Sequence, residues 1–215
     1  IINAAECEPY LTSDHRVMVE HAEEVCVGVS ILRKALGVKS AFIGIENNKP
    51  QPIEVMTKMA ASFEGLNVLP LKVKYPQGAE RNLIYAVTGK KINSKMLPAD
   101  AGVIVNNVDT VISVKNAVCN NIPLIRRIIT VTGDAVVNPQ NFCVPTGMCY
   151  QELIDAAGGF KSTPEKIISG GPMMGTSLYS TNVPVTKNSS AILALTKDEV
   201  AEKPETPCIR CGRCV

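Results

Sequence analysis

Apolar and polar positions follow two different rhythms along the chain, and the change falls near Pro123. Before it, short apolar runs alternate with stretches of helical period. Ile1–Asn3 reads as the end of a strand and runs into the loop Glu6-Cys7-Glu8-Pro9-Tyr10. Thr12-Ser13-Asp14 offers N-caps for one long helix from about His15 to Leu36, with Val17, Val25, Val29 and Leu32 close to one face and Gly37 as its stop. Ala41–Ile45 reads as a strand, Pro50–Phe63 as a helix with proline near its start, and Val68–Val73 as a further strand. The turn Tyr75-Pro76-Gln77-Gly78-Ala79-Glu80 leads into a helix through Val87 that ends at Gly89. Val103–Val105 is a short apolar strand, followed by Asn106-Asn107 and a helix from about Asp109 to Val118. Strand alternating with helix predicts an α/β layer with mostly parallel strands.

Beyond Pro123 strands dominate. Arg127–Thr132 alternates as a strand, Gly133-Asp134 and Asn138-Pro139 mark turns, and Asn141–Val144 is a second strand. Cys149–Ala157 reads as a short helix closed by Gly158-Gly159, with brief strands at Ile167-Ile168, Val183–Val185 and Ala191–Leu195. One short helix among several strands resembles a small ubiquitin-like grasp fold. Asp198–Pro207 is a polar linker with two prolines. The predicted layout is an α/β domain over 1–122, a β-grasp domain over 123–197, and a linker with the start of a cysteine motif over 198–215.

Composition narrows the function classes. At 215 residues the chain holds one large or two small cores, and 46% apolar with 20% charged residues is ordinary globular usage. A net charge of +2, scarce aromatics and no Trp give no argument for nucleic acid or for a polybasic membrane anchor. No apolar run approaches the ~20 residues of a membrane helix. Cys7, Cys26, Cys119, Cys143 and Cys149 stand singly, as small buried hydrophobes do, and the size argues against a secreted disulfide scaffold. A reducing, cytoplasmic compartment follows.

The last eight residues, Cys208-Ile-Arg-Cys-Gly-Arg-Cys-Val215, change the picture most. Cys208, Cys211 and Cys214 have the Cys-x2-Cys-x2-Cys spacing of three of the four cysteines in a bacterial ferredoxin run. Thiolates so spaced suit an iron–sulfur cluster, and Arg210, Gly212 and Arg213 suit a tight loop around an anionic one. A zinc knuckle and an unstructured tail are the competing readings. The chain stops one residue after the third cysteine and starts inside an apolar strand without Met. We therefore expect a piece of a longer electron-transfer protein, which without the fourth ligand carries an apo tail, a partial cluster or an adventitious disulfide in place of a native cluster.

Three strand-to-helix turns carry the other candidate chemistry. Asn3 offers amide hydrogen bonds to a polar ring edge or a ribityl hydroxyl, and Glu6 and Glu8 accept from ribose or ring N–H groups; a solvated acidic turn is the plain alternative. Gly78 and Glu80 open a helix whose N–H groups suit a phosphate or a ring. Asn106, Asn107 and Thr110 lie at the third turn, where Asn and Thr are also ordinary caps. All three occupy the same kind of place in one predicted sheet. Gly170-Gly171-Pro172-Met173-Met174-Gly175 lacks the Lys and Ser/Thr of a P-loop and reads as a packed turn. His15 and His21 lack the HExxH spacing of a zinc site.

In order along essentially the whole chain, five segments resemble the C subunit of the Rnf electron-transport complex. They are Asn3-Ala-Ala-Glu-Cys-Glu-Pro-Tyr-Leu-Thr-Ser-Asp-His-Arg16, Tyr75-Pro-Gln-Gly-Ala-Glu80, Val131-Thr-Gly-Asp134, Ile168-Ser-Gly-Gly-Pro-Met-Met-Gly175 and Pro207-Cys-Ile-Arg-Cys-Gly-Arg-Cys-Val215. That subunit is in turn similar to the NADH-oxidising flavoprotein subunit of respiratory complex I. The resemblance implies a Rossmann-like domain for FMN and NAD(H), a soluble-ligand-binding β-grasp (SLBB) domain, and a ferredoxin-like segment with two 4Fe-4S clusters in the parent. It implies a peripheral subunit on the cytoplasmic face of the membrane. Its partners would be the other Rnf subunits and, indirectly, ferredoxin; its work would be electron exchange between ferredoxin and NAD coupled to ion movement.

By motif, Asn3, Glu6 and Glu8 match the flavin and nicotinamide loop of the complex I relative. Gly78 and Glu80 match its Gly-Glu-Glu turn, Asn106, Asn107 and Thr110 its Asn-Asn-Val-Glu-Thr turn, and Cys208, Cys211 and Cys214 its cluster cysteines. Ala79 stands where the relative has a glutamate. The relative's Gly-rich FMN loop and a second cysteine run have no counterpart here, so this stretch alone is expected to bind FMN poorly and to be inactive. Two other functions fit the same residues. One is a soluble flavin and iron–sulfur reductase of the same superfamily; the other is a non-catalytic electron wire or scaffold, with a zinc-binding adaptor as an outside case.

Overall fold

The computed structural model describes residues 1–200 and 207–212. The first half folds as β1 (Ile2–Ala4), α1 (Ser13–Glu20), α2 (Ala22–Ala35), β2 (Ala41–Glu46), α3 (Pro50–Ala60), β3 (Leu66–Leu71), α4 (Glu80–Thr88), β4 (Asn106–Asn107) and α5 (Val108–Asn120). Its sheet is parallel, in the order β3-β2-β1-β4, with Ile2 opposite both Ile43 and Asn106. Helices cover both faces. Ile43 and Ile45 pack with Val17 and Met18 of α1, Val25 and Val29 of α2, Met56 of α3, and Val108 and Val111 of α5. On the other face Leu83 of α4 packs with Leu71 and Ala5. Burial on both faces is why β2 reads as a nearly continuous apolar run. α2 and α5 meet closely: a Cβ on Gly28 would collide with the Val111 carbonyl oxygen.

The second half folds as β5 (Arg126–Thr132), β6 (Gln140–Pro145), α6 (Tyr150–Ala156), β7 (Lys166–Ser169), β8 (Thr176–Leu178) and β9 (Ala191–Leu195). Its sheet runs β6-β5-β9-β7-β8, with β5 and β9 parallel and the other pairs antiparallel. Leu153 and Ile154 of α6 pack on Ile129, Val131 and Ile192, the helix-on-sheet core of a grasp fold. Among the described residues no helix is long and apolar enough to cross a membrane.

Several elements differ from the sequence reading. The single helix expected from His15 to Leu36 is two, broken at His21, whose backbone leaves helical angles at φ −126°, ψ 31°. One continuous helix would put Val17 and Cys26 about 180° apart, yet both are fully buried. The break turns both toward one core. The expected strand Val103–Val105 begins only at Asn106, where Ile2 stands opposite. Val183–Val185 makes one isolated bridge, Pro184 to Cys149, instead of a strand. β8 was not expected, because Thr176–Leu178 carries little apolar signal.

Candidate functional site

The strand order sets the place. From β1 the chain passes to β2 on one side, while β4 lies on the other, so the loops after β1 and β4 diverge at the carboxyl end of the sheet. That is the topological switch point, where open α/β sheets take ligands. A cleft of about 490 Å3 opens there. Its walls come from the loop after β1, the Tyr75–Ala79 turn after β3, Asn107 at the end of β4, and Asp109 after it. The grasp domain closes it with Arg127, Ile128, Met174 and Ser190.

Each predicted residue has a definite post. The Asn3 amide donates to the Gly78 carbonyl at 2.8 Å, and its oxygen accepts from the Ala5 N–H at 3.2 Å, so it ties two of the loops together. Glu6 is the cap of α1. Its carboxylate accepts from the backbone N–H groups of Asp14 at 2.9 Å and His15 at 3.4 Å, and from Lys49 Nζ at 2.6 Å. The cap expected from Thr12-Ser13-Asp14 is therefore supplied from outside the helix; Thr12, at the N-cap position, makes no capping bond with its side chain. Glu8 accepts from Tyr75 Oη at 3.3 Å and from the Met173 N–H at 3.1 Å, joining the two domains.

Gly78 lies against the β1 loop. Its N–H donates to Cys7 Sγ at 3.3 Å, and a Cβ there would meet the Ala5 carbonyl oxygen at 2.5 Å. Burial pushes the Cys7 thiol up, with the Gly78 N–H acting the other way. Glu80 is exposed in the first turn of α4. Asn107 faces the cleft, caps α5 through the Asp109 N–H at 2.9 Å, and donates to Asp14 Oδ2 at 2.9 Å. Asn106 instead lines a cavity at the opposite end of the sheet, and Thr110 lies in the first turn of α5, outside the cleft lining.

Three cleft residues were missed. The Asp14 carboxyl accepts from the Asn107 amide; burial, then the nearby Glu6 charge, pushes it up to about 7. Asp109 pairs with Arg127 Nη1 at 2.6 Å; burial raises its carboxyl, and Arg127 opposes the rise. Arg127 comes from β5, far along the chain, and only the strand pairing brings it here. No local signal marks it.

Apolar walls with a few convergent polar groups, in a volume of this size, suit a planar ring bound edge-on to hydrogen-bonding groups. Among the described lining residues Glu6, Glu8, Asp14 and Asp109 are acids and Arg127 is the one cation. The donor set therefore fits the ring of a flavin or nicotinamide better than a chain of phosphates. At the other end of the chain, Cys208 and Cys211 are exposed, and Cys214 lies outside the described residues. Arg210 sits at φ +56° and donates its N–H to Cys208 Sγ at 3.3 Å. Among the described residues no three metal-ligating side chains gather.

A parallel sheet with polar loops at its switch point, closed by a grasp domain, defines a cofactor-binding α/β protein. Residues 1–116 match the model of the Nuo51 FMN-binding domain and residues 128–177 that of the SLBB domain, and the chain belongs to the Nuo51 FMN-binding domain family. It is 50% identical over 217 residues to the C subunit of the proton-translocating ferredoxin:NAD(+) oxidoreductase complex of Clostridium ljungdahlii, covering 100% of this chain and 47% of that one. It is 46% identical over 215 residues to the C subunit of the Na(+)-translocating ferredoxin:NAD(+) oxidoreductase complex of Acetobacterium woodii, covering 100% and 48%. The chain thus spans about half the length of these curated relatives. Among solved structures, the NAD+-reducing [NiFe]-hydrogenase in its H2-reduced state superposes with a TM-score of 0.77 at 20% identity, over 91% of this chain and 40% of that chain. At that identity the likeness is one of fold.

Proposed function

We propose that this chain is the cofactor-facing part of the C subunit of an ion-translocating ferredoxin:NAD oxidoreductase. In this reading it passes electrons between NAD(H), FMN and 4Fe-4S clusters at the cytoplasmic face of the membrane, as a peripheral subunit among the other members of the complex. The observation that supports the reading is the cleft at the switch point, lined by the loop after β1, the Tyr75–Ala79 turn and Asn107, within the stretch that matches the Nuo51 FMN-binding domain. Bound FMN would supply the exchange between the electron pair of NAD(H) and the single electrons of iron–sulfur clusters.

The protein's share is orientation, shielding and charge. Leu11, Tyr75 and Ile128 line the cleft and would cover a bound ring. Asn3 and Gly78 fix the spacing of the loops, and Glu6 fixes the start of α1. Asn107 and Glu8 would meet the polar ring edges, with the first turn of α4, including Glu80, beside them. Burial pushes the Asp14 carboxyl up to about 7, so near neutral pH it is part protonated. Asn106 and Thr110 act as supports for the turn that presents Asn107. Cys208, Cys211 and Cys214 would ligate one cluster; the N–H that Arg210 directs at Cys208 Sγ is the kind of hydrogen bond that tunes such sulfurs. The division into 1–122, 123–197 and 198–215 belongs to this reading.

The test uses the full-length protein, purified anaerobically. Its visible spectrum, iron and FMN are measured before and after NADH. Bleaching of a flavin band together with an iron–sulfur signature is expected. Bound iron with neither flavin nor a response to NADH would leave an electron wire or scaffold instead.

A further inference from the structure

The cleft has an uneven charge pattern. Among the described residues four carboxyl groups line it, and the single lining cation, Arg127, belongs to the other domain. Lys49, the nearby alternative, is held by Glu6 at 2.6 Å, and Glu6 is almost fully buried. Arg127 is paired with Asp109: Nη1 lies 2.6 Å from Asp109 Oδ2, with both side chains 12% exposed. Its Nε is buried and has no hydrogen-bond partner among the described residues. That nitrogen is closed off from solvent, so what Arg127 offers a ligand in the cleft it lines is the charge of its guanidinium.

We infer that Arg127 is the grasp domain's contribution to the cofactor site: it binds the flavin ring as a cation and raises the ring's reduction potential. The inference rests on the flavin reading above. When NADH is the donor, its C–H bond breaks and the hydride, two electrons and one proton, forms an N–H bond on the ring. NADH becomes NAD+, and the ring gains one negative charge. Acidic side chains in the lining oppose that added charge, whereas a guanidinium beside it favours it. Asp109 sets how much of the Arg127 charge is available, because the ion pair partly neutralises it. The two residues should therefore act in opposite directions. This also gives the grasp domain a role in the redox chemistry beyond docking.

The test compares the full-length wild type with Arg127→Gln, Arg127→Lys and Asp109→Asn. Each protein is stripped of flavin and titrated with FMN, and the midpoint potential of the bound flavin is read against reference dyes. Thermal melting checks folding. Arg127→Gln should weaken FMN several-fold and move the potential negative, Arg127→Lys should stay near wild type, and Asp109→Asn should move it positive. If Arg127→Gln fails to fold, Asp109→Asn against Arg127→Lys decides. Unchanged potentials, or shifts of Arg127→Gln and Asp109→Asn in the same direction, overturn the inference alone. A wild type that takes up no FMN overturns the flavin reading with it.

Discussion

At the amino ends of the parallel strands a cavity of about 410 Å3 is lined by Val29, Leu32, Leu36, Val38 and Ile104, with Arg33 its one charged side chain among the described residues. At their carboxyl ends a cleft of about 490 Å3 gathers Glu6, Glu8, Asp14, Asp109 and Arg127. The hollows are similar in size and opposite in chemistry. The cause is the direction of the chain. At the carboxyl end each strand hands over to a helix N-terminus, whose free N–H groups need acceptors. Glu6 and Asn107 are the acceptors at α1 and α5. At the amino end helices arrive by their C-termini, as α2 does at Leu36, and apolar side chains fill the edge. The fold thus concentrates polar groups at one end before any ligand is considered.

The largest expected effect breaks the polar end. Glu6→Ala removes the acceptor at the start of α1 and leaves Lys49, with its side chain 12% exposed, unpaired. Loss of one partner of a buried pair costs about 3–5 kcal/mol, read as a drop in the denaturant midpoint. Gly78→Ala comes next. Its Cβ would press on the Ala5 carbonyl oxygen at 2.5 Å, and overpacking of this kind costs about 1–3 kcal/mol. FMN uptake should fall with it.

Asp14→Asn sharpens the comparison through pH. The folded chain keeps the Asp14 proton up to about 7, while the unfolded chain releases it near 3.8. The group's contribution to stability is therefore full below 3.8 and is lost as pH rises through about 7. The asparagine variant should flatten that fall in a series of melts. Smallest of all is Leu36→Ala at the apolar end. Leu36 is 46% exposed, and such a change should cost less than about 0.5 kcal/mol and leave FMN binding alone.

Local features were legible in the sequence. The apolar run of β2, the glycine at φ +71° that ends α4, and the short helix α6 closed by Gly158-Gly159 all follow from nearest neighbours along the chain. The loop motif around Asn3, Glu6 and Glu8 was legible because it resembles a family. The use of Glu6 was not, because Thr12-Ser13-Asp14 offered caps closer in sequence. Asp14 was hidden in the same way, read as a cap when its carboxyl faces Asn107. Arg127 was invisible, since its place depends on how two sheets pack. The break at His21 was missed because helical period tolerates either path until the burial of Cys26 chooses one.

The most direct test fills one hollow at a time. Full-length protein stripped of flavin would be titrated with FMN by fluorescence quenching, in wild type, in Ala79→Trp at the cleft, and in Ser40→Trp at the apolar cavity. Loss of FMN binding in Ala79→Trp with wild-type binding in Ser40→Trp is the predicted result. Wild-type binding in Ala79→Trp, with loss in Ser40→Trp, would contradict the assignment of the cleft.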